Sequence, residues 1–256
     1  MSSINPVFLL PATLAEDADT IAENFVSSLT LGAGQFCTNP GLVIGIRSEA
    51  LERFIYTAGR CIEQSCNQTM LSCGIYKNYI ERVQSLAQRP RVKQIAQGQQ
   101  AEKNNQARAT LFSTSAKAFL ADEVMSQEIF GASSLIVQCK DEMEMLHLVT
   151  HLEGQLTATI YARHAQDNAL AKKLLTELEL KAGRVLFNGF PTGVEVCHAM
   201  VHGGPFPATT DSRTTSVGAA AIQRFLRPVC YQDVPPEFLP DALADNNPLH
   251  IRQHLR

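Results

Sequence analysis

Short apolar runs alternate along this chain with segments whose apolar residues recur every three or four positions. The apolar runs predict strands at 6–10, 42–46, 133–139, 156–162 and 184–188. The periodic segments predict helices from about Asp17 to just before Gly32, from about Ser48 onward, and at 76–96, 141–152 and 165–180. Strands separated by helices in this way are typical of an α/β fold with a largely parallel sheet flanked by helices.

Composition excludes several classes of protein. The formal net charge of -3, without a long block of like charge, gives no reason to expect nucleic acid as a partner. No apolar segment is long enough to span a bilayer, so no membrane association is expected. Seven irregularly spaced cysteines form no CxxC pair, which predicts free thiols in the cytoplasm and no metal site.

One cysteine lies in an unusual setting, in the segment LGAGQFCTNPGL at 31–42. Gly34 and Gly41 give the chain permissive backbone on both sides of Cys37, where backbone N–H groups can point at an oxyanion. A thiol is a strong nucleophile once it is ionised. A buried packing role is nevertheless the commoner fate of a free cysteine, and the residues alone leave both interpretations open.

Other candidate sites are weaker. His198 and His202 have the spacing of a zinc helix, but Ala199 stands where the HExxH motif has its glutamate, and Gly203 would end such a helix. No GxGxxG or Walker pattern predicts a phosphate loop. On the residues alone, Glu128 is interpreted as a surface acid before a turn and Phe130 as a core residue.

Four segments taken together resemble one family. They are GQFCTNPGLV (34–43), SQEIFGASSLIV (126–137), VLFNGFPTGVEV (185–196) and HGGPFPATTDSRTTSVG (202–218). Their order and spacing resemble the catalytic half of the aldehyde dehydrogenases, and the last two resemble the branch of 2-oxoglutarate semialdehyde (2,5-dioxopentanoate) dehydrogenases. The resemblance implies a catalytic domain at 1–226 and a C-terminal tail at 227–256.

The resemblance also implies roles for individual residues. Cys37 is expected to attack an aldehyde and to pass through a thiohemiacetal and a thioester, with its own backbone N–H as half of the oxyanion hole. Glu128 is expected to bind the nicotinamide ribose of NADP or NAD, and Phe130 to pack against the nicotinamide. The substrate funnel is expected to be lined by the loop at 202–215 and by Phe190, Pro191 and Val194.

Two departures from the family pattern bear on activity. Met1-Ser2-Ser3-Ile4 precedes Asn5-Pro6, where the family has a glutamate and a Gly or Ser run, and Ala132 stands where proline is common. The general base, the cofactor-binding domain and the amide that completes the oxyanion hole have no counterpart here. We therefore expect a C-terminal half that is nearly inactive by itself.

The expected substrate is a small aldehyde, a 2-oxo acid semialdehyde in particular. Arg227 to Val234 resembles the tail strand that joins a neighbouring subunit's sheet, which predicts a homo-oligomer or association with another aldehyde dehydrogenase subunit. Two alternatives stay open, a residual thiol esterase and a non-catalytic interaction module that pairs with an intact subunit.

Overall fold

A seven-stranded sheet forms the centre of the computed structural model, which describes residues 1–101 and 103–252. Its strand order is β4-β6-β7-β2-β1-β8-β9, and β4 alone among these strands runs antiparallel to its neighbour. The strands are β1 (Pro6–Leu9), β2 (Leu42–Ile46), β4 (Lys93–Gln97), β6 (Thr110–Ser115), β7 (Ser133–Cys139), β8 (Gln155–Tyr161) and β9 (Ala182–Phe187). A separate two-stranded ribbon pairs β3 (Gln68–Thr69) with β5 (Gln106–Ala107). The predicted α/β class with a largely parallel sheet is confirmed.

Among the described residues, six α-helices cover both faces of the sheet. They are α1 (Pro11–Thr30), α2 (Glu49–Gln64), α3 (Cys73–Ala87), α4 (Ala116–Leu120), α5 (Glu142–His151) and α6 (Asn168–Leu178). Side chains alternate along a strand, so Val7 of β1 packs with the cluster formed by α1 and α2, whereas Phe8 packs with the cluster that includes α3 to α6. Burial on both faces is what a parallel sheet requires.

The predicted helix at 76–96 is wrong in its second half. Helix α3 ends at Ala87, and Lys93–Gln97 is an edge strand that pairs antiparallel with β6. Pro90 explains the break, because proline has no N–H for the helix and disfavours helical geometry at Arg89.

Helix α1 begins six residues earlier than the sequence predicts, because its amino end is capped from a distant part of the chain. Pro11 occupies the first turn, where a missing N–H is harmless. The carboxylate of the buried Asp167 accepts hydrogen bonds from the Ala12 N–H (3.0 Å) and from the Thr13 N–H and hydroxyl (both 2.8 Å). An acidic group at a helix amino end also interacts favourably with the helix dipole.

Parallel pairing aligns the amino ends of the strands, which therefore lie along the same end of the sheet. Pro6 lies opposite Leu42, Leu42 opposite Leu135, and Gln155 opposite Ala182. The segments that precede β1, β2 and β7 therefore meet at this end of the sheet, although they are far apart in sequence.

The chain divides into two compact units, Met1–Ala221 and Ile222–Arg256. The described part of the second unit contains short 3-10 turns at Pro236–Phe238 and Asp241–Leu243. Residues 227–234 form no strand in the structure, and the assignment of 1–226 and 227–256 as catalytic domain and tail stays a prediction. None of the helices among the described residues combines the length and apolar character that crossing a membrane requires.

We expect Asp167→Ala to lower the free energy of unfolding by about 2–3 kcal/mol, because it leaves the Ala12 and Thr13 N–H groups without an acceptor. Urea denaturation measures the change. Asp141→Ala is the matched control, since Asp141 caps α5 locally through the Glu144 N–H at an exposed position. Its loss should be about 1 kcal/mol, and equal losses in the two variants would contradict the long-range cap.

Candidate active site

Cys37 lies in the loop that connects α1 to β2, and its residue is exposed. A 3-10 turn at Leu31–Gly34 starts this loop, with Gly32, Ala33 and Gly34 all at positive φ. A Cβ on Gly34 would lie 2.3 Å from the backbone N of Ala132 and the backbone C of Gly131. Glycine is therefore required where the Cys37 loop touches the segment before β7.

The side-chain amide of Asn5 forms hydrogen bonds with the loop that contains Cys37. Its Nδ2 donates to the carbonyl oxygens of Cys37 (3.0 Å) and Asn39 (2.9 Å). Its Oδ1 accepts from the hydroxyls of Ser3 (2.8 Å) and Thr157 (3.0 Å), which fixes the orientation of the amide. The buried Asn5 thus connects β1, β8 and the Cys37 loop.

Two further amides extend this connection. The Asn39 Nδ2 donates to the carbonyl oxygen of Gly131 at 3.0 Å. The Gln155 Oε1 accepts from the backbone N–H groups of Ile4 (2.8 Å) and Asn5 (3.1 Å). These hydrogen bonds join the backbone around Cys37 to the segments at the starts of β1, β7 and β8.

A histidine that the sequence assigned to the funnel wall contacts the cysteine directly. The His202 Nε2 lies 3.1 Å from the Cys37 Sγ, within hydrogen-bonding distance. The His202 N–H donates to the Thr215 hydroxyl at 2.8 Å, and its carbonyl oxygen accepts from the Ser216 N–H and hydroxyl. These contacts fix the backbone of the loop that follows β9.

The protein keeps both partners of this contact uncharged at neutral pH. Partial removal from water raises the pKa of the Cys37 thiol, and the Glu128 carboxylate adds to this effect. The backbone N–H groups of Cys37 and Thr38 and the Arg184 guanidinium act in the opposite direction. Burial and the positive charge of Arg184 lower the pKa of His202 below its ordinary value. The result is a thiol beside a neutral imidazole.

Arg184 is a functional candidate that sequence reasoning missed. It lies in the edge strand β9, and its guanidinium donates to the carbonyl oxygens of Pro191 (2.7 Å) and Gly193 (3.0 Å). Its charge acts on both Cys37 and His202. A charged residue inside a short apolar strand was the available signal.

Glu128 and Phe130 lie together between a 3-10 turn (Glu123–Ser126) and β7. They line a cleft with Ser3, Phe36 and Asn39, beside the Cys37 loop. Burial raises the pKa of Glu128, an effect opposed by hydrogen bonds from the Ser2 side chain and the Ser3 backbone. Phe130 is 40% exposed, so its ring is available to a ligand.

The three predicted funnel residues lie in different environments. Phe190 packs between Phe25 and Tyr161, with ring centroids 5.8 Å and 5.2 Å apart. Pro191 is buried, and Val194 is exposed on the following loop. Their contact with substrate stays a prediction. Across residues 1–101 and 103–252, no three His, Cys, Asp or Glu side chains are placed to hold a metal ion.

The chain matches a known protein family and is similar in sequence to two curated relatives. The sequence model of the aldehyde dehydrogenase family matches residues 4–225. Alpha-ketoglutaric semialdehyde dehydrogenase 2 of Azospirillum brasilense is 53% identical over 98% of this chain and 48% of its own length. Alpha-ketoglutaric semialdehyde dehydrogenase of Acinetobacter baylyi is 48% identical with the same coverage. The chain thus spans about half the length of the curated relatives it matches.

Solved structures share the fold at low identity. Proline utilization A from Bdellovibrio bacteriovorus matches with a TM-score of 0.74 and 18% identity, over 90% of this chain and 23% of that one. A structure of a putative methylmalonate-semialdehyde dehydrogenase from Sinorhizobium meliloti, complexed with NAD, matches with a TM-score of 0.72 and 18% identity, over 88% and 46%.

We expect Asn5→Asp to loosen the Cys37 loop, because a carboxylate oxygen replaces the donor that the Cys37 and Asn39 carbonyls need. Asp tolerates the positive φ of this position, so the change isolates the lost donor. The free energy of unfolding should fall by about 3 kcal/mol, and amide hydrogen exchange at 36–41 should accelerate.

Asn188→Asp is the matched control for this prediction. Asn188 also has a positive φ, and its Nδ2 donates to a single carbonyl, that of Ala162. It should destabilise the protein without faster exchange at 36–41. Unchanged exchange in that loop of the Asn5→Asp protein would show that Asn5 does not hold it.

Proposed function

Because the chain belongs to the aldehyde dehydrogenase family, we propose that it serves the oxidation of an aldehyde to a carboxylic acid with Cys37 as the nucleophile. The observation that carries this proposal is an exposed thiol on a loop fixed by Asn5, next to the cleft lined by Glu128 and Phe130. An exposed nucleophile with a rigid backbone and a neighbouring cleft is the arrangement that covalent catalysis needs.

In this proposal the Cys37 sulfur attacks the aldehyde carbon and forms a thiohemiacetal. The N–H groups of Cys37 and Thr38 act on the sulfur, and the Cys37 N–H is also the protein's half of an oxyanion hole. The later thioester is released by water as the acid, which regenerates the thiol. Cys37 is therefore required in every step that changes a covalent bond of the substrate.

Glu128 and Phe130 fit a nicotinamide cofactor, NADP or NAD. A carboxylate can accept hydrogen bonds from two ribose hydroxyls, and the exposed Phe130 ring offers a flat apolar surface for the nicotinamide. When bound there, the nicotinamide supplies the hydride acceptor that turns the thiohemiacetal into a thioester. The name of the Sinorhizobium structure, which includes NAD, supports this assignment.

The substrate we propose is a 2-oxo acid semialdehyde. Both curated relatives are named for alpha-ketoglutaric semialdehyde, which carries a carboxylate beside its aldehyde. Arg184 places a positive charge near Cys37, and a positive charge favours an anionic aldehyde over a neutral one. Phe190, Pro191 and Val194 are proposed to line the approach. Seven free cysteines favour a reducing compartment such as the cytoplasm.

We expect Cys37→Ser to abolish the hydrolysis of an activated ester such as p-nitrophenyl acetate by a polypeptide of these 256 residues. Cys66→Ser is the matched control, because Cys66 is also exposed but makes no contact with His202. Retained hydrolysis in the Cys37→Ser protein, or equal loss in both variants, would contradict the assignment of Cys37 as nucleophile.

Absorbance of the reduced nicotinamide tests the dehydrogenase itself, with NADP or NAD and 2-oxoglutarate semialdehyde. General bases and oxyanion donors contribute about two to four orders of magnitude each. Since the aligned region is half of each relative, we expect the 256-residue polypeptide to turn over at least about a hundredfold more slowly than the Azospirillum relative. Comparable rates that depend on Cys37 would contradict this expected deficit.

A second role, association with another copy of the chain, is favoured by the tail. Val229 and Tyr231 are 57% and 47% exposed within the segment 227–234, which forms no strand in this chain. A segment with exposed apolar side chains can add to the edge of a sheet by forming a strand there. We propose that this segment pairs with the sheet of a second subunit.

We expect Val229→Asp to shift the protein from an oligomer to a monomer in analytical ultracentrifugation, because a buried carboxylate is costly at an interface. Leu249→Asp is the matched control, with 54% exposure in the same unit but outside 227–234. A monomeric unsubstituted protein, or equal dissociation in both variants, would reject the proposed interface.

A further inference from the structure

The contact between Cys37 and His202 joins two residues that are 165 positions apart in sequence. The imidazole Nε2 is 3.1 Å from the sulfur, and the ring is reached from the loop that follows β9. A nitrogen base at this distance from a thiol is the geometry that proton transfer requires.

The Cys37 sulfur is the hydrogen-bonding partner of the His202 ring among the described residues. The His202 Nδ1 is buried and has no hydrogen-bond partner within the described part of the chain. Thr215 and Ser216 bind the His202 backbone, so the loop fixes the position of the ring without engaging its nitrogens. Nε2 is consequently the ring atom available for chemistry.

Both side chains are uncharged when the reaction starts, and Nε2 lies within hydrogen-bonding distance of the sulfur that loses its proton. The Cys37 thiol, with its raised pKa, does not ionise by itself near neutral pH, while the lowered pKa of His202 keeps the imidazole unprotonated and able to accept a proton. Arg184 stabilises negative charge on the sulfur, and Glu128 opposes it. A thiol that needs a base therefore lies beside a base that is free to act.

We propose that His202 is the general base that removes the Cys37 proton as the sulfur attacks an electrophilic carbon. The inference rests on the proposed function in taking Cys37 as the nucleophile. The S–H bond breaks, its proton moves to Nε2, and a sulfur lone pair forms the S–C bond. The carbonyl π electrons move to oxygen, which then takes the proton back from the imidazolium to give a neutral thiohemiacetal. No further reactant is needed.

The test is the rate at which iodoacetamide alkylates Cys37, followed by mass spectrometry of the peptide that contains it. This reaction forms an S–C bond, expels iodide and uses neither nicotinamide nor aldehyde. We compare the unsubstituted protein with His202→Ala and His202→Gln, and with His198→Ala as the control. His198 is an exposed histidine near His202 in sequence, outside the contact with Cys37.

At pH 7 we expect both His202 variants to react about a hundredfold more slowly and His198→Ala to react like the unsubstituted protein. Gln can form a hydrogen bond but cannot accept a proton near neutral pH. Full recovery of the rate in His202→Gln would therefore show a positioning role and overturn the proposal, as would an unchanged rate in His202→Ala.

The pH profile of the unsubstituted protein provides a second measurement that requires no variant. If His202 is the base, the rate rises through its lowered pKa and is level across neutral pH. If the thiol acts alone, the rate keeps rising about tenfold per pH unit up to the raised pKa of Cys37. A continuous rise, or a full rate that persists in acid, would overturn the proposal.

The alkylation experiment separates this inference from the proposed dehydrogenase function. Alkylation that depends on His202, together with activated-ester hydrolysis that is unchanged in Cys37→Ser, would reject Cys37 as the nucleophile of the proposed function and retain His202 as its base. Nicotinamide reduction that depends on Cys37 but not on His202 would reject His202 as the base and retain the proposed oxidation.

Discussion

The side-chain amide of Asn5 is the interaction on which the candidate site depends. One donor group holds two carbonyl oxygens of the Cys37 loop, and one acceptor oxygen binds hydroxyls from the segment before β1 and from β8. A main-chain hydrogen bond from the Gly41 N–H to the Ile4 carbonyl, 3.0 Å long, reinforces the same connection. The position of Cys37 on its loop is thereby fixed by the strands that follow Asn5 and Gly41.

This arrangement places the site at the amino ends of the parallel strands. Ligands of open α/β sheets usually bind outside the carboxyl ends. Here Asn5, Asn39 and Gly131 lie within three residues of the starts of β1, β2 and β7, and their amide and carbonyl groups bind one another. Side-chain amides bind main-chain groups at the starts of these strands, and these hydrogen bonds hold the segments that carry Cys37, Glu128 and Phe130 next to one another.

The sequence predicts most strands and helices of the fold, but it predicts the contacts of the candidate site less well. Apolar runs identify β1, β2, β7, β8 and β9, but β6 escapes because Thr110, Ser113 and Thr114 are buried hydroxyl residues in a central strand. The Thr114 hydroxyl donates to the Arg91 carbonyl and the Ser113 hydroxyl accepts from Gln138, so neither needs an apolar residue in its place. The site follows the same rule. The motif around Cys37 is readable from the sequence, whereas its contact with His202 depends on where a distant loop folds back.

Arg184 shows how one residue can serve both the shape and the charge of the site. Its hydrogen bonds to the Pro191 and Gly193 carbonyls hold the chain just beyond β9. The same guanidinium lowers the pKa of His202 and opposes the rise in the pKa of Cys37. Both effects act in one direction, toward an uncharged imidazole and a sulfur that can carry negative charge. The geometry of the loop and the reactivity of the thiol are therefore coupled through one partly buried charge, and neither can be altered at this position without the other.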